Sequence, residues 1–182
     1  MKLRDIPNVL SLLRITLVFP IVYLLVQGEF SYVLALFIVA GLSDGLDGYL
    51  AKRNNWTSRL GSILDPLADK ILLVFSYLAL GWLGLIPMWL VIAIMARDVI
   101  IIVGAISYHE LIGAYDMEPS WLSKTNTFFQ IVLILAVVFS LGAIELPRLS
   151  IDILITIVAC TTFISGANYV WVWGRRAVKS RT

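Results

Sequence analysis

One cysteine, Cys160, stands in the whole chain, and it lies inside an apolar run. A lone thiol excludes a disulfide framework and a thiolate metal site, so Cys160 reads as a small packed hydrophobe. Histidine is as scarce: His109 is the single imidazole, and it reads as a solvated loop residue rather than a ligand. Charge is sparse too. Charged residues make up 14% of the chain and the net charge is +2, too little to argue for a nucleic-acid partner. Repeats and low-complexity tracts are missing. No cleavable signal peptide is expected, because the first apolar run continues past Pro20 without a small-residue cleavage site.

Hydrophobic residues are what the chain has in excess. They are 60% of its 182 residues, and the mean hydropathy is +0.92. That composition predicts an all-α integral membrane protein, folded as one domain over residues 1–182. Met1–Leu13 mixes Lys2, Arg4 and Asp5 with Ile6, Val9, Leu10 and Leu13, and predicts an N-terminal amphipathic interfacial helix. Pro7 suits its first turn. Apolar runs then predict six transmembrane helices, over about 12–27, 31–50, 62–83, 86–108, 121–141 and 151–173. Arg14, near the start of the first span, is expected to snorkel to the interface. Lys52–Leu60 and His109–Ser120 are expected as polar loops. Basic residues fall on one side: Lys2 and Arg4, then Lys52, Arg53 and Arg59, then Arg175, Arg176, Lys179 and Arg181. The opposite loops hold only Arg148. The positive-inside rule therefore puts both termini and the second-to-third loop on the cytoplasmic side.

Against this apolar background four aspartates stand in two pairs, Asp44 with Asp47 and Asp65 with Asp69. The spacings are i,i+3 and i,i+4, so on helices each pair occupies one face. The pairs end the second span and begin the third. A short loop joins them, so antiparallel helices would bring them face to face on one side of the membrane. Carboxylates at a bilayer edge need partners, and four together can hold hard divalent cations through oxygen. Gly48 and Ala51 follow on the first helix and leave space beside such ions for a flat ring and a diphosphate. The bland alternative is carboxylates that merely pair with nearby Lys and Arg. Deeper in the chain, Arg97 and Asp98 fall near the middle of the fourth span. An arginine at that depth faces a hydrated cavity or an anion, or else pairs with Asp98 or Asp69.

The run from Asp44 to Asp69 resembles the signature of the CDP-alcohol phosphotransferases, D-x2-D-G-x2-A-R-x8-G-x3-D-x3-D. Here the fixed positions are Asp44, Asp47, Gly48, Ala51, Lys52, Gly61, Asp65 and Asp69. Lys52 stands where the family usually has arginine, with Arg53 beside it. Lysine keeps the charge but loses the bidentate fork. The resemblance implies two divalent metal ions, Mg²⁺ or Mn²⁺, held mainly by Asp44, Asp47 and Asp65 with Asp69 near them. It makes Asp69 the candidate base for an acceptor hydroxyl. Gly48 and Ala51 should lie against a cytidine, Lys52 should contact the diphosphate, and Thr57 or Ser58 adds a hydroxyl there. The segment Ile6-Pro7-Asn8 with Arg14 is similar to the family's N-terminal region, which closes over the nucleotide; on the residues alone Asn8 reads equally as a capping group.

The resemblance further implies CDP-diacylglycerol as the lipid-linked donor, CMP as the leaving group and a homodimer as the working assembly. Beyond the first motif, LGSILDPLADKIL, ARDVIII, EPSWLSKTNTFFQ and WGRRAV are similar to the branch that forms cardiolipin from phosphatidylglycerol. The branch that uses glycerol-3-phosphate usually carries G-K-x-K-T at the start of the fifth span. Here that run is Ser123-Lys124-Thr125-Asn126-Thr127, with Asn126 in place of the second lysine. Losing a cation fits phosphatidylglycerol, whose single phosphodiester charge leaves Arg97 and Lys124 as candidate contacts. The implied setting is a bacterial-type inner membrane or the mitochondrial inner membrane, with the site on the cytoplasmic or matrix face. One reading from another class remains, a divalent-cation transporter using the same aspartates. Their clustering at one face, rather than along a route across the bilayer, speaks against it.

Overall fold

The computed structural model describes residues 6–54, 61–112 and 121–179, and side chains at 9–46, 53, 61, 64–104 and 121–171. All regular structure among the described residues is helical. Six helices follow in order: α1 (Ile6–Gln27), α2 (Phe30–Asn54), α3 (Gly61–Trp82), α4 (Met88–Ile112), α5 (Trp121–Gly142) and α6 (Arg148–Lys179). Each of the six expected spans appears as a helix, with three changes at their ends. The expected surface helix is not a separate element, because α1 runs unbroken from Ile6 into the first span. The first residues of both expected loops are helical, and the rest of those loops lies outside the described residues. α2 continues through Lys52 and Arg53 to Asn54, and α4 continues through His109 to Ile112. Once a helix is nucleated each further residue adds a hydrogen bond, so polar residues at an apolar run's end extend it.

Among the described residues, three helices are long and apolar enough to cross a membrane, within Val9–Gln27, Trp121–Gly142 and Arg148–Trp171. The distribution of side chains agrees with a lipid solvent. Phe19, Trp82 and Trp121 are more than three-quarters exposed, while Ser11, Arg14, Ser76, Arg97, Asn126, Gln130 and Ser165 are buried. Burying polar groups while exposing aromatics is unfavourable in water and natural in a bilayer. Trp82 ends α3 and Trp121 begins α5, where tryptophans settle at membrane–water interfaces.

The helices form two compact units. The first holds α1, α2, α3 and the second half of α5, from Ile134 onward. Here α1 packs against both α2 and α3. Val18, Ile21 and Leu25 of α1, Val33 and Ala40 of α2, and Ala68, Leu72, Tyr77 and Leu80 of α3 are buried. Only Gly28 and Glu29 connect α1 to α2. Gly28 takes a left-handed conformation, φ 77°, which glycine adopts without steric penalty. Its N–H donates to Leu25 O at 3.1 Å and the Glu29 N–H to Leu24 O at 3.0 Å, so the end of α1 closes on its own carbonyls. The other end of α2's first turn meets α5. A Cβ on Gly142 would lie 2.7 Å from the Phe30 carbonyl carbon, and the Ser31 hydroxyl donates to Gly142 O at 2.5 Å.

The second unit holds α4, the first half of α5 and α6, with α4 packed on α6. Leu90, Val91, Ile94, Leu133 and Val158 are among its buried apolar residues.

Candidate metal and diphosphate site

The motif aspartates meet α1 inside the first unit. Ser11 and Arg14 are three residues apart and share one face of α1. Arg14 Nη2 lies 2.8 Å from Asp44 Oδ1 on α2, and Arg14 Nη1 lies 2.5 Å from Asp69 Oδ1 on α3. The Ser11 hydroxyl donates to Asp65 Oδ1. One guanidinium thus spans carboxylates from two helices. Its planar fork is suited to that task. The Arg14 side chain is 1% exposed, whereas those of Asp44 and Asp69 are 50% exposed. The cation is therefore underneath and the carboxylates face outward. Arg14 does not snorkel, contrary to expectation: its face of α1 packs on α2 and α3, and the nearest compensation is two carboxylates rather than the interface.

This donor set suits a hard divalent cation. Carboxylate oxygens are the ligands such ions prefer, and a positive group already lies between Asp44 and Asp69. Among the described residues no three acidic, histidine or cysteine side chains gather closely enough to hold an ion. The fourth motif acid, Asp47, has its side chain outside the described residues. The same holds for Asn8, Gly48, Ala51 and Lys52, whose backbones lie on α1 and α2. Ser58 lies outside the described residues altogether.

The remaining candidates, Arg97 and Lys124, are in the second unit. Arg97 is 5% exposed. Its Nη1 donates to Asp98 Oδ1 at 2.8 Å, and Nη2 donates to Ser123 Oγ and Ser165 Oγ, each at 2.7 Å. The Tyr169 ring centroid is 5.9 Å from Cζ, within the range of a cation–π contact. The anticipated Arg97–Asp98 pair is present on α4, and Arg97's bonds to Ser123 and Ser165 join α4 to α5 and α6. Lys124 is exposed on α5. Asn126 is fully buried, and its Oδ1 accepts from the Thr161 and Thr162 hydroxyls at 2.9 and 3.0 Å. It forms a joint between α5 and α6.

The family model for CDP-alcohol phosphatidyltransferase matches residues 4–170. The chain belongs to this family. Among its curated relatives, a cardiolipin synthase (CMP-forming) from Homo sapiens is 35% identical over 192 aligned positions, covering 96% of this chain and 63% of the relative. A probable cardiolipin synthase (CMP-forming) from Drosophila melanogaster is 37% identical over 78% of this chain and 48% of its own length. A cardiolipin synthase (CMP-forming) from Streptomyces coelicolor is 34% identical over 70% of this chain and 61% of its own. The chain thus spans less than two thirds of the length of these relatives.

CDP-alcohol phosphatidyltransferases are membrane proteins that generally depend on divalent metal ions. The helices long enough to cross a membrane agree with the first property. Ser11 is not among the residues the sequence marks for this site, and Arg14 is marked there only as part of the N-terminal segment similar to the one that closes over the nucleotide, not as a partner of the aspartates. The signal available was their spacing: two polar side chains three residues apart on a mostly apolar helix.

Proposed function

We propose that the chain is a CDP-diacylglycerol-dependent phosphatidyltransferase that transfers a phosphatidyl group to a hydroxyl of phosphatidylglycerol, giving cardiolipin and CMP. The observation that supports this best is the meeting of Asp44 and Asp69 on one cation, at the edge of apolar helices, in a chain 35% identical to a CMP-forming cardiolipin synthase over 96% of its length. We read residues 1–182 as one functional domain, working as a homodimer. We read the site as facing the cytoplasm or matrix from an inner membrane.

Asp44, Asp47, Asp65 and Asp69 would hold two divalent ions, Mg²⁺ or Mn²⁺. When bound, such ions supply neutralisation of the diphosphate and of the charge that develops on the attacking and leaving oxygens. The acceptor hydroxyl oxygen forms a bond to the lipid-side phosphorus, and the bond from that phosphorus to the CMP oxygen breaks. CMP leaves with the electron pair. Asp69 takes the hydroxyl proton on a carboxylate oxygen as attack proceeds. Gly48 and Ala51 border the cytidine. Lys52, with Ser58, contacts the diphosphate, and Asn8 belongs to the segment that closes over the nucleotide. Arg97 and Lys124 remain the candidates for the acceptor phosphate on their chemistry alone.

Purified protein in detergent, given CDP-diacylglycerol and Mg²⁺ or Mn²⁺, tests the reading by lipid mass spectrometry. Phosphatidylglycerol should yield cardiolipin and CMP, and glycerol-3-phosphate should yield little product. A higher kcat/KM with glycerol-3-phosphate would replace this reading with phosphatidylglycerophosphate synthesis.

A further inference from the structure

We propose that Arg14, assisted by Ser11, is a built-in cation that latches the aspartates in the metal-free protein and competes with divalent ions for them. This rests on the reading of Asp44, Asp65 and Asp69 as metal ligands. The contacts are direct. Arg14 occupies Oδ1 of Asp44 and Oδ1 of Asp69, at 2.8 and 2.5 Å, and Ser11 occupies Oδ1 of Asp65. Divalent ions bind carboxylate oxygens through the same lone pairs at about 2.0–2.6 Å. A guanidinium between two carboxylates therefore engages one oxygen of each that a second cation would otherwise take.

Charge strengthens the competition. Arginine stays protonated in proteins, so the latch cannot be released by losing its proton. At 1% exposure the guanidinium is poorly screened by water and salt. A divalent ion brought beside it is repelled unless Arg14 gives up at least one carboxylate. The position of Ser11 and Arg14 on one helix face couples the two contacts: both rungs run from α1 to α3, at Ser11–Asp65 and Arg14–Asp69. Releasing the aspartates therefore changes how α1 is tied to α3. Arg14 is here a positioning residue, setting where the carboxylates lie and how readily they accept an ion.

Competition of this kind is a coupling free energy, and coupling is reciprocal, with typical sizes of about 5–150-fold. Removing Arg14 should tighten metal binding and weaken the metal-free fold. The test uses the purified full chain in detergent without lipid substrates. Mn²⁺ binding is followed by electron paramagnetic resonance, and thermal unfolding is measured with EDTA or Mn²⁺. Arg14→Gln should bind Mn²⁺ on the order of tenfold more tightly than wild type, unfold earlier in EDTA, and gain more stability from Mn²⁺. Ser11→Ala, a milder change, should tighten binding about threefold, the scale of one net hydrogen bond. It keeps the test alive if Arg14→Gln does not fold. Mn²⁺ binding that is lost in Asp65→Asn yet unchanged or weaker in both latch variants overturns the latch and leaves the metal site standing. Mn²⁺ binding that Asp65→Asn leaves untouched, or no binding in any of these proteins, overturns both.

Discussion

Asp44 and Asp69, on different helices, hold the two terminal nitrogens of a single guanidinium at 2.8 and 2.5 Å. One aspartate from each motif pair, Asp44 and Asp69, is thereby brought to the same group on α1. A facing arrangement is what an ion shared between the pairs requires. Substitutions there should separate the contributions of ion, base and scaffold.

Divalent ions and the motif acids should be needed together. EDTA, or Asp65→Asn in the presence of Mg²⁺, should reduce CMP release from CDP-diacylglycerol to background. Full turnover under either condition would rule out a metal site at these residues.

Asp69 should matter for turnover more than for donor binding. Asp69→Asn keeps the size of the side chain but cannot accept the hydroxyl proton. Turnover should fall at least about a hundredfold, the scale of a lost general base, while CDP-diacylglycerol binding is retained. Loss of donor binding instead would identify Asp69 as chiefly a metal ligand.

Gly142→Ala should destabilise the first unit. The new methyl would meet the Phe30 carbonyl carbon at 2.7 Å and the Ser31 nitrogen at 2.8 Å, and backbone atoms cannot swing aside as a side chain can. Overpacking of this kind costs about 1–3 kcal/mol. Gly41→Ala is the control, since a Cβ there meets nothing within 4 Å. Denaturant unfolding in detergent should show a lower midpoint for Gly142→Ala and no loss for Gly41→Ala.

Arg97→Ala should act on the second unit's stability. It removes bonds to Asp98, Ser123 and Ser165 and withdraws the cation paired with Asp98. Removing one member of a buried ion pair costs about 3–5 kcal/mol. Arg97→Ala should therefore unfold at clearly lower denaturant. If the KM for phosphatidylglycerol rises while stability is unchanged, Arg97 serves the acceptor rather than the helix joint.

Much of this could be read from the residues because the bilayer simplifies the code. Long apolar runs declared six helices, and the structure moved their ends by a few residues where polar side chains extended α2 to Asn54 and α4 to Ile112. Asp44, Asp65 and Asp69 stood out because charged groups are rare in such a chain. Arg14 was misread for an instructive reason. Its distance along the helix from an interface suggested snorkelling, but its environment depends on which face of α1 packs on α2 and α3. Helix contacts of that kind are tertiary, and a single sequence does not state them. The burial of Asn126 between Thr161 and Thr162 was hidden in the same way.

The order in which the ribosome makes the chain gives Arg14 one more consequence. Ser11 and Arg14 precede Asp65 and Asp69 by 54 and 55 residues, and Asp44 also emerges later. α1 must therefore await its counterions during synthesis. A lone arginine at the centre of a membrane helix costs about 2.5–3.5 kcal/mol on insertion scales, and less nearer an end. Until α2 and α3 arrive, the stable place for this charge is the water-facing boundary. Final seating of the first helix is then expected to wait for the third helix and its acids.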